Sequence, residues 1–411
     1  MSSPLFGQDA DRELAQSFQL VVAPDDFIEN PYRWYALLRV HDPVHRLGDE
    51  SMLLTRYEDV VEVYRSAAAS SDKRVEFKPK FGDTLLYEHH TTSLVFNDPP
   101  LHTRVRRRVM GALNQRAIAR MEPDVSASVD RLLNQLEDKR HIDLIEHLAA
   151  QIPIEVIGNL LGVPRAERGP LRGWSLAILS ALEPLPSPEI LDRGNRAVAE
   201  FLDYLRRLVD DRKRHPLDAD SDVLTRLIRR DLDGDALSER ELLHNCIFLL
   251  NAGHETTTNL IGNGVHALLV HRDQLERLQA EPHLLATAVE ELLRFESPLQ
   301  LNNRVLTAPI ELAGQRLAAG TFITLGVGAA NRDPAQFPDP DRLDIARKPN
   351  RHLAFGHGDH ACAGMNVARL EAHVAIGKLV SRFPKIALRD KPERDPRVRF
   401  RGFRRLPVTL T

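Results

Sequence analysis

The chain has 411 residues, 43% of them hydrophobic and 27% charged, which is long enough to bury a large core. Its 55 basic and 58 acidic side chains leave a net charge of -3, so neither nucleic acid nor an anionic membrane surface is favoured electrostatically. The first thirty residues hold no run suited to a secretory signal or a membrane anchor. Two cysteines, Cys246 and Cys362, exclude a disulfide scaffold, and a reducing, cytoplasmic home is expected.

In chain order, Val44 to Arg46 and Met52 to Thr55 flank the turn residues Gly48, Asp49 and Glu50, which predicts a hairpin. Asp98 and Pro99 have the places of an N-cap and first residue of a helix that carries His102, Arg104, Arg106, Arg107 and Arg108. His102 and Arg106, four apart, share a face suited to an anionic group, whereas Arg104, Arg107 and Arg108 read as a solvated basic face. Helical periodicity dominates from about Leu132 onward. The proline-bearing stretch Glu183 to Ile190 and the polar stretch Arg214 to Val223 read as surface loops, so one domain over 1–411 is expected.

Ser238 and Glu241 have the spacing of a capping box, and the apolar pattern behind them continues to about Val270, roughly 45 Å of helix. Its middle, from Asn251 to Asn259, substitutes small and ionisable residues for apolar ones, and Gly253 alone costs roughly 1 kcal/mol against alanine. Either a site uses that gap or it is a solvated stretch or kink. Glu291 and Arg294 lie three apart on a helix that ends before Pro298. Ile310 to Val327, with Ala313 and Gly314 at a turn, predicts a second β region.

From Phe355 to Gly364 three glycines surround Cys362 in a tight loop, and a helix follows from Met365. A cysteine at a helix N-terminus is favoured as thiolate and suited to ligate a metal. The alternatives here are a zinc site of His357, His360 and Cys362, which has no natural fourth ligand, a buried structural cysteine, or a nucleophile with no base in view.

Together these segments resemble the cytochrome P450 superfamily of haem-thiolate monooxygenases, in the expected order and over nearly the whole chain. The resemblance implies a mainly α fold with a minor β region, a single domain with the haem (haem b) between the long central helix and the cysteine-ligand loop. It makes Cys362 the axial iron ligand and places the proton relay at Thr256 and Glu255, with Ala252 and Gly253 leaving room for oxygen. His102, Arg106, Arg304 and His360 would hold the haem propionates. Phe355 would pack beside the thiolate, and Gly358 and Gly364 would permit the loop's close approach.

Glu291, Arg294 and Arg342 would form a structural network, although Leu343 stands where phenylalanine is commoner. Leu249, Leu250, Leu299, Leu301 and Phe403 are the implied walls of the substrate pocket, with Asn302 and Asn303 as polar contacts and Lys73 through Val95 as a lid. His89 and His90 in that lid read as solvated loop histidines, with an acidic substrate as the sharper alternative. The implied function is insertion of one oxygen atom of O2 into a small, largely apolar organic substrate by a soluble monomer without a membrane anchor. A separate ferredoxin or flavodoxin would supply the electrons, with Arg104, Arg107 and Arg108 part of its docking face. The alternative is a haem-thiolate sensor or carrier without turnover, which would have no need of the Glu255 and Thr256 relay.

Overall fold

The computed structural model describes residues 8–219, 222–229 and 234–411. Helix dominates, with small sheets, and the chain falls into two compact units, each assembled from separate stretches. Unit 1 comprises Met1–Ser70, Val270–Ala361 and Glu393–Arg404; unit 2 comprises Ser71–Leu269, Cys362–Pro392 and Arg405–Thr411. Among the described residues no helix is long and apolar enough to cross a membrane.

A five-stranded sheet organises unit 1, in the order Val44–Arg46, Met52–Leu54, Phe322–Gly326, Leu301–Leu306, Ala69–Ser70. The N-terminal hairpin pairs as expected, with Val44 opposite Leu54. The second β region forms its own hairpin, Ile310–Leu312 with Gln315–Leu317, turning through Ala313 and Gly314 at φ 50° and 76°. Strand Leu301–Leu306 has no clear sequence signal because Asn302, Asn303 and Arg304 interrupt its apolar pattern. Pairing with Phe322–Gly326 holds it in place, Arg304 opposite Ile323, while Leu301 and Leu306 enter two apolar clusters.

The longest helix among the described residues, Glu239–Val270, hereafter the central helix, lies in unit 2 as far as Leu269. Its capping box forms: Glu241 N–H donates to Ser238 Oγ at 3.2 Å, and Ser238 N–H donates to the Glu241 carboxylate at 2.9 Å. The helix continues unbroken through the segment from Asn251 to Asn259. Its glycines admit neighbours: a Cβ on Gly253 would stand 2.8 Å from Ile157 Cδ1, and one on Gly262 2.6 Å from Ile145 Cδ1.

Two sequence expectations fail locally. The Asp98 carboxylate accepts the Ser71 N–H at 2.8 Å and so does not cap the following helix, which begins at Leu101 with no side-chain cap. The stretch read as a loop to Ile190 ends earlier, because Ser187 accepts from Ile190 N–H and Pro188 opens the helix Pro188–Arg214.

Candidate active site

Leu249, Ala252, Gly253 and Thr256 are three and four residues apart and therefore share one side of the central helix. Along a helix whose core face is buried at Leu242, Ile247, Leu250, Ile261 and Leu268, this strip is open: Ala252 is exposed and the other three are half-buried, as is Phe248 at its border. Thr256 Oγ1 donates to the Ala252 carbonyl at 2.7 Å and Thr258 Oγ1 to the His254 carbonyl at 2.9 Å, so the hydroxyls bond back to the helix without breaking it. Glu255 is 4% exposed, and its Oε1 accepts from Asn259 Nδ2 at 3.2 Å. A hydroxyl thus borders the open strip with a buried carboxylate beside it. Ile157 occupies the space at Gly253, which leaves Ala252 as the small residue that keeps the strip open.

Cys362, also in unit 2, is half-buried just before helix Met365–Arg382. Burial pushes its thiol up, against the opposing pull of the Gly364 N–H, Arg106 and Arg369. The N–H at the helix start thus pulls toward thiolate and burial pulls the other way; a bound metal cation would add to the pull toward thiolate. Arg106 lies close enough to act on Cys362, and His102, one turn before it, is buried. At Gly364, φ is -92° and an added Cβ would meet open space, so neither backbone conformation nor packing within the chain requires glycine there. The described residues bring no three His, Cys, Asp or Glu side chains together as a metal site, which removes the support for zinc. His357 instead accepts from Arg65 Nε at 3.1 Å.

In unit 1, Arg304 is buried with its guanidinium 5.2 Å over the Tyr64 ring, donating to the Asn303 carbonyl at 2.8 Å. Asn302 Nδ2 donates to Tyr64 Oη at 3.2 Å, and Gly358, at φ 71°, leaves only 3.0 Å between its would-be Cβ and the Tyr64 carbonyl oxygen. Tyr64 therefore joins the cysteine loop to the Arg304 strand, a role for which its sequence carries no signal. Phe355 and His360 are half-buried, with Phe355 packed 5.8 Å from the His352 ring.

Glu291 and Arg294 are both fully buried and form a bidentate pair, with Nε and one Nη each 2.8 Å from a carboxylate oxygen. The cation that completes this network is Arg347, whose Nε lies 3.1 Å from Glu291. Arg342 does not: it is exposed and offers only its carbonyl, to Arg294 and Arg347. The turn after Pro340 directs the Arg342 main chain inward, and the side chain five residues later fills the place.

Several further expectations change. Leu250 and Leu301 are packed inside the cores of their units, whereas Leu249 and Leu299 are half-buried; Phe403 is buried beneath the Arg394 guanidinium, 3.9 Å from its ring. His89 and His90 are not solvated; each is 2% exposed. Arg104 is engaged by Glu241 and Asp235, and Arg108 is buried against the carbonyls of Leu227, Arg229 and Asp235. Of the three arginines given to a docking face, Arg107 alone is exposed.

The profile of the family described as Cytochrome P450 matches residues 175–407. A vitamin D(3) 25-hydroxylase of Pseudonocardia autotrophica is 40% identical over 392 residues, covering 93% of this chain and 94% of its own. The chain belongs to the cytochrome P450 family. The P450 described as a biotin biosynthesis enzyme of Bacillus subtilis is 36% identical over 94% of this chain and 98% of its own length. Among solved structures, P450BioI in complex with a hexadec-9Z-enoic acid ligated acyl carrier protein superposes with a TM-score of 0.89 at 36% identity, over 94% of this chain and all of the other. This P450 has the family's fold and is a monooxygenase. Its residues fit the family's haem: Cys362 is a half-buried sulfur donor with two arginines near it, and the central helix keeps one strip open inside the same unit.

Proposed function

We propose that this P450 carries haem b on Cys362 and inserts one atom of O2 into a small, largely apolar organic molecule, drawing electrons from a separate ferredoxin or flavodoxin system as a cytoplasmic monomer. The observation that carries this reading is the open strip on the central helix, with a hydroxyl at its edge and a buried carboxylate next to it, in the unit that also presents Cys362. When bound, a thiolate-ligated haem supplies O–O bond cleavage rather than reversible oxygen carriage. The chain's part is to bind, orient and deliver protons. Cys362 holds the iron, and His102, Arg106, Arg304 and His360 hold the propionates by the family pattern. Thr256 Oγ1 gives up the proton it now shares with the Ala252 carbonyl and regains one through Glu255, which Asn259 holds in place.

The two units contribute alternating stretches of one chain and are read as one domain over 1–411. Relatives described as acting on vitamin D(3), or solved with a fatty-acyl carrier protein, support an apolar substrate. Turnover with NADH, ferredoxin reductase, ferredoxin and an apolar substrate panel tests the reading. The expected result is oxygen-dependent product, with Thr256→Ala lowering product formed per NADH consumed by about tenfold or more. Unchanged coupling in Thr256→Ala contradicts the relay.

A further inference from the structure

Helix Leu85–Thr92 lies against the central helix in unit 2, within the stretch expected to form a lid. Neutral hydrogen bonds tie the lid to the central helix. Asn245 Oδ1 accepts from Leu94 N–H at 2.9 Å, Asn245 Nδ2 donates to the Thr92 carbonyl at 3.4 Å, and Asn251 Nδ2 donates to His89 Nε2 at 3.4 Å. Three buried imidazoles join the same two helices. His89, His90 and His244 are each 2% exposed, with the His89 ring 5.0 Å from that of His90 and 5.7 Å from that of His244. Phe77, Phe81 and Phe96 close around His90.

The charges around this cluster do not welcome another cation. Phe77 and Phe81 come from helix Arg74–Phe81, whose Lys80 ammonium donates to the Glu183 carbonyl at 2.6 Å and stands 5.3 Å over the Phe81 ring. Glu88 faces His244 Nε2 at 3.5 Å, but the same oxygen engages Arg240 at 3.0 Å. Arg206, on helix Pro188–Arg214, adds a further positive charge that acts on His244. A proton on His89 would put a buried cation beside two other imidazoles. Burial, with His90 and His244 beside it, holds His89 well below the ordinary histidine range, and burial lowers His244 against the opposing pull of Glu88. Both rings are therefore neutral while the helix is packed. Lifted into water, each recovers an ordinary pKa of about 6.5. Below that value the lifted form binds protons that the packed form does not, so acid favours lifting; above it neither form binds them and the packed form holds.

We propose that His89 and His244 make helix Leu85–Thr92 an acid-released latch, packed on the central helix near neutral pH and lifted from it in mild acid. That the lifted helix uncovers a substrate site rests on the monooxygenase reading above; the latch itself does not. The test is amide hydrogen exchange of the haem-loaded protein, corrected for the intrinsic effect of pH. Each histidine that becomes charged on lifting raises the lifted fraction about tenfold between pH 7.5 and pH 5.5, so exchange in Leu85–Thr92 is expected to rise about tenfold or more. Exchange in Leu260–Leu269 of the central helix is expected to change by less than about twofold. In the double variant His89→Gln, His244→Gln the rise in Leu85–Thr92 is expected to fall below about threefold. A looser lid in that variant raises exchange at both pH values and leaves their ratio to report the latch. A wild-type ratio no larger than that of Leu260–Leu269, or a ratio undiminished in the double variant, overturns the proposal. A ferrous carbon monoxide spectrum without thiolate character overturns the monooxygenase reading instead and leaves the exchange ratio as the measure of the latch.

Discussion

Glu291 is balanced by two guanidiniums, and the second belongs to Arg347. Removing one partner of a buried ion pair strands the other charge, but Arg294 still holds Glu291 in an Arg347→Ala protein. The expected loss is therefore near the low end for such pairs, about 3 kcal/mol by urea denaturation. Arg342→Ala, which deletes only an exposed side chain, is expected to stay within about 0.5 kcal/mol of wild type. Equal losses would contradict the assignment. The sequence placed Glu291 and Arg294 correctly because their spacing is local, but which of two arginines five residues apart turns inward depends on the path of the loop. His89 and His90 were misplaced for a related reason: nothing within their own segment reveals the three phenylalanines and the central helix that bury them. Glu371 gave no sequence signal either. It is buried on helix Met365–Arg382, and its carboxyl is pushed up to about 8 by burial from an ordinary 4.5. Between those values the folded protein binds a proton that the unfolded chain has lost, so stability falls as pH rises from about 4.5 to about 8. Glu371→Gln is expected to flatten that slope and to exceed wild-type stability at pH 8 by about 1–3 kcal/mol. An unchanged slope in urea titrations across that range would contradict it.

At the scale of elements, the central helix was the most legible part of the chain. Its cap, its length and its position were all carried by local pattern, and the structure keeps each of them. The family resemblance gives Gly253, with Ala252, as room for oxygen, whereas in the structure Ile157 packs against Gly253. Two effects oppose each other in Gly253→Ala. Alanine gains about 1 kcal/mol of helix propensity, while overpacking against Ile157 costs typically 1–3 kcal/mol. The expected outcome is a net loss of about 1 kcal/mol, reversed to neutral or stabilising when Ile157→Val removes the clashing methyl; a double-mutant cycle in urea measures the coupling. Additive effects would contradict the contact. Strand Leu301–Leu306 shows the reverse case, since its polar residues conceal a strand that only its sheet neighbours on both sides stabilise.

For the molecule as a whole, the alternation of the chain between two compact units is not readable in composition, because it depends on contacts hundreds of residues apart. Family motifs span those separations and composition does not, which is why the cysteine loop and the central helix could be connected before any geometry was known. Cys362 alone is proposed to ligate the haem iron. Cys246, the other thiol, is fully buried in the central helix and pushed up to about 12, which leaves it inert. The most direct measurement is the ferrous carbon monoxide spectrum of wild type, Cys246→Ser and Cys362→Ser, each loaded with haem. The strongly red-shifted Soret band of thiolate ligation is expected in wild type and Cys246→Ser and is expected to be lost in Cys362→Ser; the same band surviving in Cys362→Ser, or missing from wild type, would contradict ligation by Cys362.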